Sequence, residues 1–174
     1  FESTLNYDRT FAEDHRTSAL LYYYMSDEKA SSESTSNMNA IPKRYQGLSA
    51  RLTYGFRDTY MLDLNFGYTG SENFQPGRRF GFFPSVAVGW VPTQYEFLKD
   101  SKWLNFLKIR ASYGTVGNDR IANKRFPYLT IVNRQDVSPW GSTAQEGLWE
   151  SYVGADNLEW EVATKFDLGI EGKL

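Results

Sequence analysis

The clearest pattern in the chain is a regular alternation of apolar and polar residues over positions 46–68. Apolar side chains occupy the even positions in two consecutive runs, and the odd positions hold mostly small, polar or charged residues. A period of two is typical of β-strands, because successive side chains point to opposite faces. Both apolar sets are even-numbered, so a hairpin that places them on one face needs a loop of odd length, which we assign to positions 57–59. The predicted cross-strand pairs are Phe56 with Tyr60, Tyr54 with Leu62, Leu52 with Leu64 and Ala50 with Phe66.

The first of these strands is long for a soluble protein. It covers 12 residues, positions 46–57, whereas the most common strand length is roughly 5–6 residues. At ~3.3 Å per residue and a tilt of ~45°, it rises about 28 Å, close to the ~25 Å apolar band of outer-membrane barrels. Its other face and that of its partner would carry Arg51, Thr53, Asp63 and Asn65, which is too polar for a packed core. These features predict a sheet with lipid on one side and a wet interior on the other.

The same alternation recurs along the chain, so we predict a single all-β segment. Its fold would be an antiparallel up-and-down meander that forms a partial arc of a large transmembrane β-barrel. Short connections at positions 12–16 and 57–59 alternate with long loops at 26–44 and 117–159, and barrels of this kind have short periplasmic turns and long outward loops. The predicted strands lie near positions 1–11, 17–25, 45–57, 60–69, 80–91, 104–116 and 160–173.

Three local features add detail to this prediction. Pro84 lacks a backbone N–H and should lie near a bulge or outside regular pairing. Positions 96–98 suggest one helical turn on the periplasmic side, and positions 128–133 suggest a short strand within the last long loop.

Composition excludes several classes of protein. With 41% hydrophobic and 17% aromatic residues in a chain of 174, the sequence is not that of a disordered segment. The mean hydropathy of −0.54 does not decide between a soluble protein and a barrel, because half of a barrel's strand residues face a polar interior. No run of 18 apolar residues occurs, which excludes a transmembrane helix. The net charge is −2 with dispersed basic residues, so we expect no nucleic-acid partner.

The chain lacks the patterns of a catalytic or cofactor site. It has no Cys, and its single histidine, His15, falls in a predicted polar turn, so thiolate chemistry, His-based metal sites and catalytic triads are not expected. The GTVGND run at positions 114–119 lacks the ending of a phosphate-binding loop. We predict neither an enzyme nor a cofactor. The candidate contact residues are aromatic side chains of the last long loop, which either pack within the loop or against a partner protein, or contact a ligand; they are Tyr128, Trp140, Trp149 and Tyr152.

Four stretches of the sequence carry a family resemblance. They are RRFGFFPSVAVGW at 78–90, LNFLKIRASYGTVGND at 104–119, NLEWEVATKFDLGIEGKL at 157–174 and, in support, YQGLSARLTYGFRDTYML at 45–62. The most specific pieces are FFPS, SYG followed by GN, and LEWE. Together these stretches resemble the SusC/RagA-type TonB-dependent outer-membrane transporters of Bacteroidetes. The resemblance places the chain in the C-terminal part of such a barrel.

The resemblance implies a 22-stranded barrel in the bacterial outer membrane, with an N-terminal plug and a SusD-like surface lipoprotein as partner. Such transporters import glycans or peptides with energy from the TonB complex. We expect the plug and the TonB box to lie outside this segment, which looks like an interior piece of a longer chain. Six charged residues would face the lumen and pair with each other or with the plug; they are Arg51, Asp63, Lys108, Arg110, Asp167 and Glu171.

An alternative that the sequence leaves open is a soluble all-β carbohydrate-binding module. Strands of a soluble sandwich should be short, and their apolar face should be buried against a second sheet. Strand length and the state of the apolar face therefore distinguish the two hypotheses.

Overall fold

The computed structural model describes residues 1–29, 41–99, 104–121, 125–140 and 143–173. These residues form nine strands, a 3₁₀ turn at Pro92–Gln94 and a short helix, α1, at Glu96–Lys99. The strands are β1 (Glu2–Phe11), β2 (His15–Glu28), β3 (Lys43–Phe56), β4 (Tyr60–Ser71), β5 (Phe80–Trp90), β6 (Phe106–Asn118), β7 (Ile131–Trp140), β8 (Thr143–Tyr152) and β9 (Glu161–Lys173).

Seven of the strands form one antiparallel sheet in the order β1-β2-β3-β4-β5-β6-β9. Each strand pairs with its neighbour in sequence, except that β9 follows β6 because β7 and β8 form a separate two-stranded sheet within the connection. This meander confirms the predicted fold class. The seven strands begin and end within three residues of their predicted bounds.

The register of the β3–β4 hairpin follows the parity of its apolar residues. Phe56 pairs with Tyr60 and Tyr54 with Leu62, and the pairing continues in step to Tyr45. All four predicted pairs are confirmed. The three-residue turn has positive φ angles of 50° at both Arg57 and Asp58. The preceding turn holds it in place, because the Arg57 N–H donates to the Asp14 carbonyl (2.9 Å) and Arg57 Nε donates to the Asp14 carboxylate (2.9 Å).

The last long loop differs from the prediction. Positions 117–159 contain the β7–β8 hairpin, whereas the sequence suggested only a short strand at 128–133. The alternation is weak here because the sequence of β7, IVNRQDVSPW, has adjacent polar residues and a proline. Register shifts also interrupt the pairing of β7 with β8. The other predicted loop, 26–44, is shorter than expected, because β2 continues to Glu28 and β3 already begins at Lys43. Its positions 30–40 lie outside the described residues.

Two local predictions can be compared with the structure directly. The helical turn expected at 96–98 is confirmed as α1. Pro84 pairs in regular register with Phe66 of β4, but the pairing of β5 with β6 begins only at the next residue, Ser85. Pro84 therefore marks the point where β5 separates from β6, as expected of a residue that cannot donate to a second neighbour.

Candidate functional site

One face of the seven-stranded sheet is apolar along its whole width, and we call it the apolar face. Residue pairs such as Tyr7–Ala19, Leu52–Leu64 and Ala111–Leu168 lie on it, and the register keeps this face continuous from β1 to β9. Its side chains stay exposed; Val88, for example, is 51% exposed. Other exposed members are Leu5, Leu21, Tyr54, Phe66, Phe82, Val86, Phe166, Leu168 and Ile170.

The apolar face carries aromatic rows near both ends of the strands. Phe56, Tyr60 and Trp90 lie in register at the end with the turns 12–14 and 57–59, which we call the short-turn end. Tyr68 and Phe80 stack near the opposite, long-loop end, with ring centroids 4.9 Å apart. About eight residues separate the rows, or roughly 19 Å at the rise and tilt typical of barrel strands. Leucine, valine and isoleucine dominate the band between them, as in the apolar belt of a membrane barrel.

The opposite, polar face holds two ion pairs between neighbouring strands. Arg51 Nε donates to both carboxylate oxygens of Asp63 at 3.1 Å, and Arg110 Nε lies 3.4 Å from Glu171 Oε1. For four of the six charged residues, these pairs agree with the expectation that they would pair with one another. Lys108 is opposite Glu171, and Asp167 is opposite Ser112, on the same face. An open groove of about 550 Å³ runs over this face between the two ion pairs.

At the long-loop end, a cluster of aromatic residues joins three parts of the chain. Phe74 is fully buried, and Trp160 packs against it and against Phe83, with ring centroids 5.2 and 5.1 Å apart. Trp160 Nε1 donates to the Arg79 carbonyl at 3.1 Å. We call Phe74, Phe83 and Trp160 the loop-end cluster. Sequence reasoning missed it, although Trp160 lies in the LEWE motif, because nothing local indicates what that ring touches.

Polar contacts reinforce the same end of the sheet. The Ser71 hydroxyl donates to the Asp119 carboxylate at 2.6 Å, and Asn73 Nδ2 donates to the Asp119 carbonyl at 3.0 Å. Arg78 bonds the Glu159 carboxylate at 2.8 Å. The β4–β5 connection is therefore tied to the ends of β6 and β9.

The four predicted contact residues have different environments. The Tyr152 hydroxyl donates to the Pro127 carbonyl at 3.0 Å, and Tyr128 lies perpendicular to Phe126 with centroids 6.3 Å apart, so both tyrosines make contacts within the loop. Trp149 of β8 is 49% exposed. Trp140 is the last residue of β7, and its side chain lies outside the described residues.

His15 is not the turn residue that the sequence suggested. It is the first residue of β2, and its Nδ1 lies 2.7 Å from the Tyr54 hydroxyl, with its ring 4.8 Å from that of Phe56. The charged neighbours Asp14 and Arg16 made the position look like part of the turn. Within the described ranges, no group of three or more His, Asp or Glu side chains is placed to bind a metal ion, and no helix is long and apolar enough to cross a membrane.

Comparison with known proteins gives relatives of one kind. The chain is 34% identical to the TonB-dependent receptor P3 of Formosa agariphila over 71% of this chain, and 32% identical to the TonB-dependent receptor SusC of Bacteroides thetaiotaomicron over 70%. The TonB-dependent receptor P26 of Formosa agariphila is 27% identical over 99% of the chain. The chain belongs to the SusC/RagA-type TonB-dependent receptors. These relatives are much longer than the chain, which spans only 12% of P3 and SusC and 20% of P26.

Solved structures show the same fold. The RagAB peptide transporter superposes with a TM-score of 0.78 at 23% identity, covering 98% of this chain and 21% of the transporter chain. The RagAB peptide importer in its open-open state gives a TM-score of 0.75 at 24% identity, with the same coverage. No family model matches the chain.

Proposed function

We propose that the chain forms part of the C-terminal barrel wall of a TonB-dependent importer in the bacterial outer membrane. Its apolar face contacts lipid, and its polar face lines the lumen. The complete protein imports a glycan or a peptide with a SusD-like surface lipoprotein, and the plug and TonB contacts come from other parts of it. The chain itself has no enzymatic role and takes no cofactor.

The exposed apolar face is the observation that carries this proposal. In a soluble β-sandwich, the apolar sides of two sheets pack against each other. Here β7 and β8 contact one another but no other strand among the described residues, so they do not cover the apolar face. The seven sheet strands are 10 to 14 residues long, longer than those of most soluble sheets. These observations favour lipid over a second protein layer, and a barrel over a soluble carbohydrate-binding module.

The polar face supports a water-filled interior. The side chains of its two ion pairs are partly exposed: those of Arg51 and Asp63 are 54% and 25% exposed, and those of Arg110 and Glu171 are 64% and 47% exposed. Charged residues on the lumen side of a barrel remain solvated or pair, whereas the same residues on the lipid side would be costly. The polar face therefore fits contact with water, the plug or a passing substrate.

Among the loop aromatics, Trp149 is our candidate for contact with substrate or lipoprotein. Its indole is half exposed on β8, whereas Tyr152 is engaged with the Pro127 carbonyl and Tyr128 packs against Phe126. A flat aromatic face suits a sugar ring or an apolar peptide side chain. Trp149→Ala should weaken substrate binding or lipoprotein association, with Tyr152→Phe as a matched control that should leave both intact.

The experiment that tests the proposed function uses the full-length protein in its native host. We expect it in the outer-membrane fraction, with heat-modifiable migration on gels, and we expect a surface lipoprotein to co-purify. Growth of a deletion strain on glycans and on peptides then identifies the substrate class. Recovery of the full-length protein in the soluble periplasmic fraction would contradict the proposal.

A further inference from the structure

The third connection at the short-turn end is built differently from the other two. Positions 12–14 and 57–59 are three-residue turns, whereas positions 91–105 contain the 3₁₀ turn Pro92–Gln94 and α1. A connection of this length is not needed to join two neighbouring antiparallel strands. The described part of this connection, 91–99, therefore contains more residues than a turn between the two strands requires.

The start of this connection is fixed on the sheet. The Val91 N–H donates to the Thr59 carbonyl at 2.8 Å, and the Leu107 N–H donates to the Thr93 hydroxyl at 3.2 Å. Val91, Pro92 and Thr93 are all buried. Because these hydrogen bonds fix Val91 and Thr93 on the sheet, the residues that follow them leave the sheet in a defined direction.

That direction is toward the apolar face. The Tyr95 hydroxyl is hydrogen-bonded to the hydroxyl of Tyr60, which belongs to the aromatic row of the apolar face beside Trp90. The Phe97 ring stacks on Tyr95 with centroids 5.8 Å apart and an interplanar angle of 22°. Phe97 is nevertheless 79% exposed. Tyr95 and Phe97 thus extend the apolar face beyond the ends of the strands.

The chemistry of these rings indicates a lipid surface as their partner. Tyrosine combines an apolar ring with a polar tip and is favoured at the level of lipid headgroups. The exposed Phe97 ring adds apolar surface beside Tyr95. A groove of about 430 Å³ adjoins the Tyr60 side of the pair, and apolar atoms line nearly all of it. Its lining includes Tyr54, Tyr60, Leu62, Val88, Trp90 and Ile109.

We propose that Tyr95 and Phe97 form an interfacial anchor that inserts into the lipid surface at the short-turn end of the barrel wall. The anchor lengthens the lipid contact of β4 and β5 by one layer of aromatic rings outside the strands. It rests on the proposed function, since it requires that the apolar face contacts lipid. The partner is the lipid bilayer surface and not a second protein.

The test uses the full-length protein in vesicles that contain lipids brominated near the headgroup end of the acyl chain. A fluorescent bimane is attached at Phe97→Cys, with any cysteine elsewhere in the full-length protein replaced. Two labelled controls accompany it. Val88→Cys lies on the apolar face, and Thr10→Cys lies on the polar face near the same end, opposite Arg16. Unchanged heat-modifiable migration shows that each labelled variant is folded.

The expected result is a loss of fluorescence at positions 97 and 88 but not at position 10. Quenching at 88 without quenching at 97 would overturn the anchor and leave the proposed function standing. Absence of quenching at both 88 and 97 would overturn the proposed function and the anchor together. Quenching at position 10 as strong as at position 97 would also overturn the assignment to lipid, because the loss of fluorescence would then not depend on the face that carries the label.

Discussion

Two phenylalanines that are adjacent on β5 have opposite environments. Phe82 lies on the apolar face and is 58% exposed, whereas Phe83 packs against Trp160 in the loop-end cluster beside the fully buried Phe74. The chain covers the aromatic residues of the loop-end cluster by its own contacts. It leaves those of the apolar face open across all seven strands. The difference indicates that the apolar face is completed by its surroundings, and the loop end by the chain itself.

Replacing the buried phenylalanine of the loop-end cluster should have the largest effect. Phe74→Ala is expected to lower the free energy of unfolding by about 3–5 kcal/mol, because it leaves a cavity beside Trp160 that the neighbouring chain cannot fill. Phe82→Ala on the apolar face is the matched control and should cost clearly less, since lipid can follow the smaller side chain. Urea titration of the full-length protein in lipid vesicles measures both. Equal costs at the two positions would erase the distinction between the regions.

A charge placed on the apolar face should be the next most damaging change. Val86 lies midway between the two aromatic rows, and Ala87 is its neighbour on the polar face, opposite Asp63 and Ser112. Val86→Arg should cost about 2–4 kcal/mol, as for arginine near the midplane of a barrel wall. Ala87→Arg should cost much less, because its side chain meets water and carboxylates. The folding titration used for Phe74 compares them, and a costlier change at Ala87 would reverse the assignment of the faces.

Close packing within the sheet predicts a smaller effect at one glycine. A Cβ added at Gly114 would overlap the Cβ of Ser85 on the adjacent strand, whereas one added at Gly67 would meet open space. Gly114→Ala should therefore cost about 1–3 kcal/mol, and Gly67→Ala should be nearly neutral. Thermal unfolding of the two variants, followed by gel migration, gives the comparison. A neutral Gly114→Ala would show that β5 and β6 can separate further than the register indicates.

The ion pairs of the polar face should contribute least. Arg110 and Glu171 are 3.4 Å apart and largely solvent-exposed, and pairs of this kind are worth under about 1 kcal/mol. Arg110→Gln and Glu171→Gln, made singly and together, should give a small coupling energy that decreases as salt is added. A large, salt-independent coupling would mean that this part of the face is shielded from water.

The strand order and register could be predicted from sequence wherever the alternation was strict. Tyr54 and Leu62 have the same parity, so only an odd turn could place both on one face, and no tertiary information was needed. β7 could not be predicted in the same way, because Arg134, Gln135 and Asp136 are consecutive polar residues that fit neither face. His15 was misassigned because its apolar contacts come from β3, about forty residues further along the chain.

The loop-end cluster could not be predicted at all. Phe83 and Trp160 meet only because β9 pairs with β6 beyond the point where β5 separates from it, and the β7–β8 hairpin lies between them in sequence. The environments of the predicted contact residues could not be predicted either. Aromatic composition identified the loop, but only the structure shows that Tyr152 is engaged with Pro127 while Trp149 is open.

The most direct test of the two-faced sheet is a spin-label scan of consecutive residues of β5 in the full-length protein in vesicles. Ser85, Val86, Ala87 and Val88 alternate between the polar and apolar faces. Labels at Val86 and Val88 should be accessible to oxygen dissolved in lipid, and labels at Ser85 and Ala87 to a water-soluble nickel chelate. A period of two in the ratio of the two accessibilities is the predicted result. Uniform accessibility to the nickel chelate along the strand would contradict a lipid-facing wall.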